Sequence, residues 1–150
     1  MILRRLGNKA KIAKEIQKYF PSHKIYIEPF FGAGGMFFNK RKAYHNIVND
    51  IDSDVFNLFQ VVISQKEELE NNFYLMPIHN DLLKHWMQNK ETEPIKKALR
   101  FLFLSNFTYL GKQDCLNFSS NASIKAYQDQ FSFFLTLNFF NIYCVGFNKN

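Results

Sequence analysis

Two short stretches carry residue types that can hold a nucleotide-like ligand between them. The first is Ile25-Tyr-Ile-Glu-Pro-Phe-Phe-Gly-Ala-Gly-Gly35, where a β-branched and aromatic run breaks into glycines. Gly32 and Gly34 lack a Cβ, so they can take positive φ and let a ligand come close to the backbone. The residues after them, Met36-Phe-Phe-Asn-Lys-Arg-Lys42, read as a helix whose first N–H groups would face that ligand. The second stretch is Asn46-Ile-Val-Asn-Asp50, a strand-like run ending in a carboxylate 16 residues after Gly34. That is close to the spacing at which an acid meets ribose hydroxyls in nucleotide-type α/β sites.

Placing these residues requires a strand over 24–28, a helix from Gly34 to about Tyr44, and a second strand over 47–50. A strand, helix, strand unit of this length pairs its strands in parallel through a right-handed crossover. The ligand site then falls at the carboxyl edge of the sheet. An amphipathic helix from Lys9 to Phe20 is expected to pack on that sheet through Ile12, Ile16 and Tyr19 or Phe20, with Pro21 stopping it. Asp52-Ser-Asp54 supplies the start of a buried helix over 55–63, which leaves Asp50 as the ribose candidate.

Glu28-Pro-Phe-Phe-Gly-Ala-Gly34 followed by Asn49-Asp-Ile-Asp-Ser-Asp54 resembles the cofactor motifs of the Dam-like, D12-class DNA adenine N6-methyltransferases. The family's F-x-G-x-G element is Phe30, Gly32 and Gly34, and Arg4-Arg-Leu-Gly-Asn-Lys9 stands where the family carries its aromatic-x-Gly-x-Lys segment. The resemblance implies an α/β, Rossmann-like, S-adenosylmethionine-dependent methyltransferase fold with a helical insertion in an incomplete parallel sheet. It implies a cofactor site of Lys9 (the methionine end), Phe30, Gly32, Gly34, Asp50 (ribose), Ile51, and Phe147 beside the adenine ring. It also implies a duplex DNA partner met by a hairpin opened by 101–111, with Asn106, Tyr109 and Lys112 as the candidate DNA-contacting residues. In that hairpin Leu110-Gly111 replaces the family's Asn-Gly pair.

The remaining chain divides accordingly: a cofactor-binding half over 1–64, a helical target-recognition insertion over 65–121, and a returning helix and strand over 122–150. Helices are expected over 66–75, 79–89, 94–104 and 123–137, and a third strand over 142–146. With 47% hydrophobic and 21% charged residues, the 150-residue chain is long enough to bury a core, to which most of its 18 phenylalanines are expected to belong. Net charge is +6, and its distribution is uneven. Residues 1–42 carry ten Lys/Arg against Glu15 and Glu28, whereas 43–150 carry nine against eleven acids. A basic amino-terminal surface suits a polyanion. Cys115 and Cys144 have no metal-ligand spacing, which points to a reduced, cytoplasmic protein without zinc. His79 and His85 are read as solvent-facing or satisfied, and Trp86 as core.

One family element is missing from these residues. The four prolines are Pro21, Pro29, Pro77 and Pro94, so there is no Asp-Pro-Pro-Tyr to hold a target amino group. The expectation is a truncated portion inactive alone, with a second polypeptide carrying the catalytic half as a candidate partner. The alternative is a non-catalytic nucleic-acid- or cofactor-binding remnant. A dinucleotide oxidoreductase is disfavoured because Phe37 occupies the third position of a G-x-G-x-x-G.

Overall fold

A computed structural model describes residues 3, 7–41, 43–108, 116, 129, 131 and the backbone of 142–144. Its elements are α1 (Ala13–Gln17), β1 (Ile25–Glu28), β2 (His45–Val48), α2 (Ser53–Ser64), α3 (Lys66–Leu75), α4 (Asn80–Gln88), α5 (Pro94–Phe107) and β3 (Ile142–Cys144). The strands form a parallel sheet in the order β1-β2-β3.

Register explains which side chains enter the core. Tyr26 lies opposite Asn46 and Glu28 opposite Val48, and strand side chains alternate between faces. Tyr26, Asn46 and Val48 are buried on one face, while Ile25 and Ile27 are exposed on the other. Main-chain bonds continue past the strands: Asn49 N–H donates to Glu28 O at 3.0 Å, and Phe31 N–H donates to Asn49 O at 2.9 Å. These two bonds bring the glycine loop alongside Asp50.

Helix ends follow their local chemistry. Asp52 Oδ1 accepts the Asp54 amide at 2.9 Å and caps α2, while the Glu93 carboxylate accepts the Ile95 and Lys96 amides at 2.9 and 2.7 Å before Pro94 opens α5. Helices α2 and α5 pack together with α3 on both. One hydrophobic cluster joins Leu3, Phe31 and Val48 of the α/β part to Leu58, Leu69, Trp86, Leu102 and Phe103 of the helices. Asp54 adds ion pairs to Lys97 (3.5 Å) and Arg100 (3.9 Å) of α5. His79 caps α4 by accepting the Asp81 amide, and Trp86 is buried. Among the described residues no helix is long and apolar enough to cross a membrane.

Two expected elements form differently. In place of a helix from Gly34 to Tyr44 there is a single 3-10 turn, Phe37–Asn39. The carbonyls just before it are bonded by side chains: Asn39 Nδ2 donates to Gly35 O (2.9 Å) and Gln17 Nε2 to Met36 O (3.1 Å), in competition with the helical ladder. Lys40 is then extended. The helix expected over 9–20 is α-helical only at Ala13–Gln17, with i to i−3 bonds at both ends. Its contact with the core is Ala13, fully buried, whereas Ile12 and Tyr19 are exposed and Ile16 half-buried. A five-residue helix is too short to present the predicted stripe.

Candidate functional site

The glycine loop is built by backbone conformation and one carboxylate. Gly32 and Gly34 have φ of +53° and +70°, which favours glycine. Asp50 Oδ2 accepts the Gly32 amide at 2.6 Å, and Asp50 Oδ1 accepts the Asp52 amide at 2.9 Å. One side chain therefore fixes both the β1 loop and the turn into α2.

The glycines do different work. A Cβ on Gly32 would meet nothing within 4 Å, so that position is open toward the cleft. A Cβ on Gly34 would collide with the Phe38 ring and approach Phe31 to 2.9 Å. At Gly35 a Cβ would strike the Asn8 side chain and the Ala10 amide, so its absence lets the 8–10 turn press against the loop. That turn is itself held by Asn8 Oδ1, which accepts the Ala10 amide at 2.9 Å.

Between the turn, the end of β1 and the loop lies a cleft of about 430 Å³, within the size range of small-molecule sites. Lys9, Tyr26, Glu28, Phe30, Gly32 and Asp50 are among its lining residues. Tyr26 Oη donates to Glu28 Oε2 at 2.9 Å, a contact that the i, i+2 spacing on one strand face makes possible. Burial is the main cause that raises the Glu28 carboxyl to about 7; the Tyr26 hydrogen bond and the Lys9 and Lys40 charges oppose it. Burial, then the Glu28 charge, raises the Tyr26 hydroxyl. Burial lowers Lys40, with Glu28 opposing. The Lys40 ammonium lies 4.3 Å from the Tyr26 ring centroid and donates to Asn46 Oδ1 at 2.6 Å.

Lys9, Phe30, Gly32 and Asp50 are thus brought together. Lys9 stands in the turn before α1 and does not open a helix; Phe30 is 85% exposed at the cleft. Gly34 supports the loop from beneath, and Ile51 is exposed outside the lining residues. Helix α5 runs on to Phe107, so Asn106 is buried and its Nδ2 donates to Leu102 O at 3.0 Å. Thr108 and Leu116 form an antiparallel bridge, the kind of return a hairpin makes. Tyr109, Lys112 and Phe147 lie outside the described residues. Sequence reasoning gave no role to Tyr26, Glu28, Lys40, Asn8 or Gly35. The alternation Tyr26-x-Glu28 was the available signal for the first two.

The donor set suits a nucleoside with a charged amino-acid tail: acceptors at Asp50 and Glu28, a cation at Lys9, an exposed ring at Phe30 and an open backbone at Gly32. A parallel sheet with a glycine loop and an acid at adjacent strand ends is an arrangement that nucleotide-type α/β sites share. The model of the D12 class N6 adenine-specific DNA methyltransferases matches residues 6–139, and the chain belongs to that family. It is 34% identical over 113 residues to a DNA adenine methylase of Serratia marcescens, covering 70% of this chain and 41% of that protein. DNA adenine methylases of Haemophilus influenzae (33% over 113 residues) and Escherichia coli K12 (28% over 111 residues) match the same share of this chain and 39% and 40% of their own lengths. The chain thus spans about two fifths of the length of these relatives.

Proposed function

We propose that this chain is the cofactor-holding part of an S-adenosylmethionine-dependent DNA adenine N6-methyltransferase with a Rossmann-like sheet. The observation that carries this reading is the convergence of Lys9, Phe30, Gly32 and Asp50 on one cleft at the carboxyl ends of β1 and β2. In it Asp50 accepts ribose hydroxyls while holding the Gly32 amide, Lys9 meets the carboxylate of the methionine end, and Phe30 offers an apolar surface. The bound cofactor supplies a methyl group on a positively charged sulfur. Methylation of N6 in a duplex requires the adenine to leave the stack, and positioning then supplies most of the catalysis. That the relatives are DNA adenine methylases supports duplex DNA as the partner. A cytoplasmic setting suits that partner.

The acceptor side is not provided by these 150 residues, which contain no Asp-Pro-Pro-Tyr. The N6 lone pair is delocalised into the ring, so the amine must be held with its lone pair aimed at the methyl carbon. Positioning of this kind is worth about 7 to 11 kcal/mol, and without it turnover falls below detection. Calorimetric titration with S-adenosylmethionine should give measurable binding. Tritiated methyl transfer to adenine-containing duplex should be absent with the chain alone and present with an added polypeptide bearing Asp-Pro-Pro-Tyr. No cofactor binding would refute the reading. Transfer by the chain alone would refute the division of labour, and no transfer by the mixture would favour a cofactor-binding protein without catalysis.

A further inference from the structure

A second, larger cleft of about 610 Å³ lies beside α1, before the strands begin. Its walls carry Lys14 and Lys18 of the helix, His23 just ahead of β1, and Lys40 and Arg41 just ahead of β2. No acid lines it. Because β1 and β2 are parallel, these residues gather at the amino edge of the sheet, opposite the carboxyl edge that holds Gly32 and Asp50. Phe20 borders both clefts, so the two sites adjoin.

We infer that this cleft takes a run of phosphodiesters of the DNA backbone, a contact separate from the hairpin and from the cofactor cleft. It rests on the DNA methyltransferase reading and deepens it. Lys14 and Lys18 are one helical turn apart, about 5 to 6 Å between Cβ atoms, a spacing that serves a row of phosphates better than one anion. Lys18 is engaged by Glu15 at 2.7 Å, an exposed pair that a phosphate can displace. Lys40 is already held in place by Asn46 and lies over the Tyr26 and Phe37 rings, so one cation of the cleft is fixed before any ligand arrives. The concave, cation-lined surface with a phenylalanine and a histidine at its side is the kind of groove that tracks a nucleic-acid backbone.

The test is fluorescence anisotropy with a labelled, adenine-containing duplex across a salt series. It compares the wild type, the double variant Lys14→Gln/Arg41→Gln, and the charge-matched control Lys66→Gln/Lys96→Gln on the exposed surfaces of α3 and α5. The cleft variant should bind about tenfold more weakly at low salt, with a log K against log salt slope shallower by about 1.8 for two lost phosphate contacts. The control should change far less. Equal far-ultraviolet circular dichroism and urea midpoints verify that all three proteins fold, and calorimetry with S-adenosylmethionine should give them equal affinity. Equal DNA affinity and slope for wild type and cleft variant would overturn the cleft and leave the methyltransferase reading intact, as would an equal loss in the control. A wild type that binds no duplex at low salt would overturn the cleft and the DNA partner together. Loss of DNA binding in the cleft variant, with no cofactor binding in any protein, would uphold the cleft and refute the cofactor reading.

Discussion

From the end of β2, Asp50 reaches across to the β1 loop and accepts the Gly32 amide at 2.6 Å. The residues are 18 apart in sequence and are brought together by the parallel register and the Phe31–Asn49 main-chain bond that extends it. The carboxylate proposed to meet a ribose therefore also holds the loop against which the ligand would lie, so in the proposed site binding and local structure would share one side chain.

Replacing Asp50 with Ala should consequently do two things. A hydrogen bond to a charged acceptor contributes about 1.5 to 3 kcal/mol, so S-adenosylmethionine affinity should fall roughly 10- to 150-fold. Global stability should fall too, since the Gly32 and Asp52 amides lose their acceptor. Asp50→Asn, which keeps one acceptor oxygen, should lie between wild type and Ala in both calorimetry and urea unfolding. Equal cofactor affinity for wild type and Asp50→Ala would remove Asp50 from the site.

The two positive-φ glycines should separate by what they lose. Gly32→Ala meets no atom within 4 Å and carries only the cost of a left-handed backbone, roughly 1 to 2 kcal/mol, with its main effect on cofactor binding. Gly34→Ala adds a collision with Phe38 and Phe31 to the same backbone cost. It should be the less stable protein by about 1 to 3 kcal/mol. Urea midpoints that place the two variants together would show that Phe38 gives way.

Glu28 predicts a pH dependence whose sign is opposite to that of a salt-bridged carboxylate. Its folded value, about 7, lies above the ordinary 4.5, because burial disfavours the charged form. The folded state therefore holds the proton more tightly than the unfolded chain. Its contribution is most favourable below pH 4.5, declines as pH rises from 4.5 to 7, and is level above that. After discounting for solvent access, the decline should be roughly 1 to 2 kcal/mol. The difference in unfolding free energy between wild type and Glu28→Gln, measured at a series of pH values, should trace this window, with Gln relatively more stable toward neutral pH. A difference that does not vary with pH would place Glu28 in a solvated environment.

The helical layer can be followed separately. Trp86 is the single tryptophan of the chain; its indole donates to Glu91 Oε1 at 2.9 Å and meets the Phe103 ring edge-on at 5.2 Å. Phe103 is fully buried, so Phe103→Ala should cost about 3 to 5 kcal/mol and move the Trp86 fluorescence transition to lower urea. A shift of less than about 1 kcal/mol would mean that the layer closes over the cavity.

What the sequence revealed follows the range of the forces involved. The parallel strands were legible because Ile25-Tyr-Ile and Ile47-Val are β-branched and aromatic runs that end at turn residues, and the α2 and α5 starts were legible because Asp52 and Glu93-Pro94 are local signals. The stretch after Gly34 was not, because its helix loses to contacts from elsewhere. Gln17 claims the Met36 carbonyl from 19 residues away, and the Phe38 ring fills the space that Gly34 leaves. Asn106, a DNA-contacting candidate through the resemblance, is buried because α5 runs past the expected end at Leu104 to Phe107. Of the cofactor candidates, Asp50 and the glycine loop could be brought to neighbouring strand ends by spacing alone. The raised Glu28 carboxyl was not legible, since burial is a tertiary property.

The link between α4 and α5 has a consequence for how the molecule can be taken apart. Asn89, Lys90, Thr92 and Glu93 are exposed, while α5 beyond them packs on α2 and α3 before them, and Arg100 Nε donates back to the Trp86 carbonyl at 2.8 Å. A tryptic cut after Lys90 would sever the polypeptide without releasing either piece, because the greater part of the helical core lies across the cut. The fragments should travel as one particle in gel filtration and part only in denaturant. Two separately produced halves divided at that point are accordingly suited to reassembly by mixing.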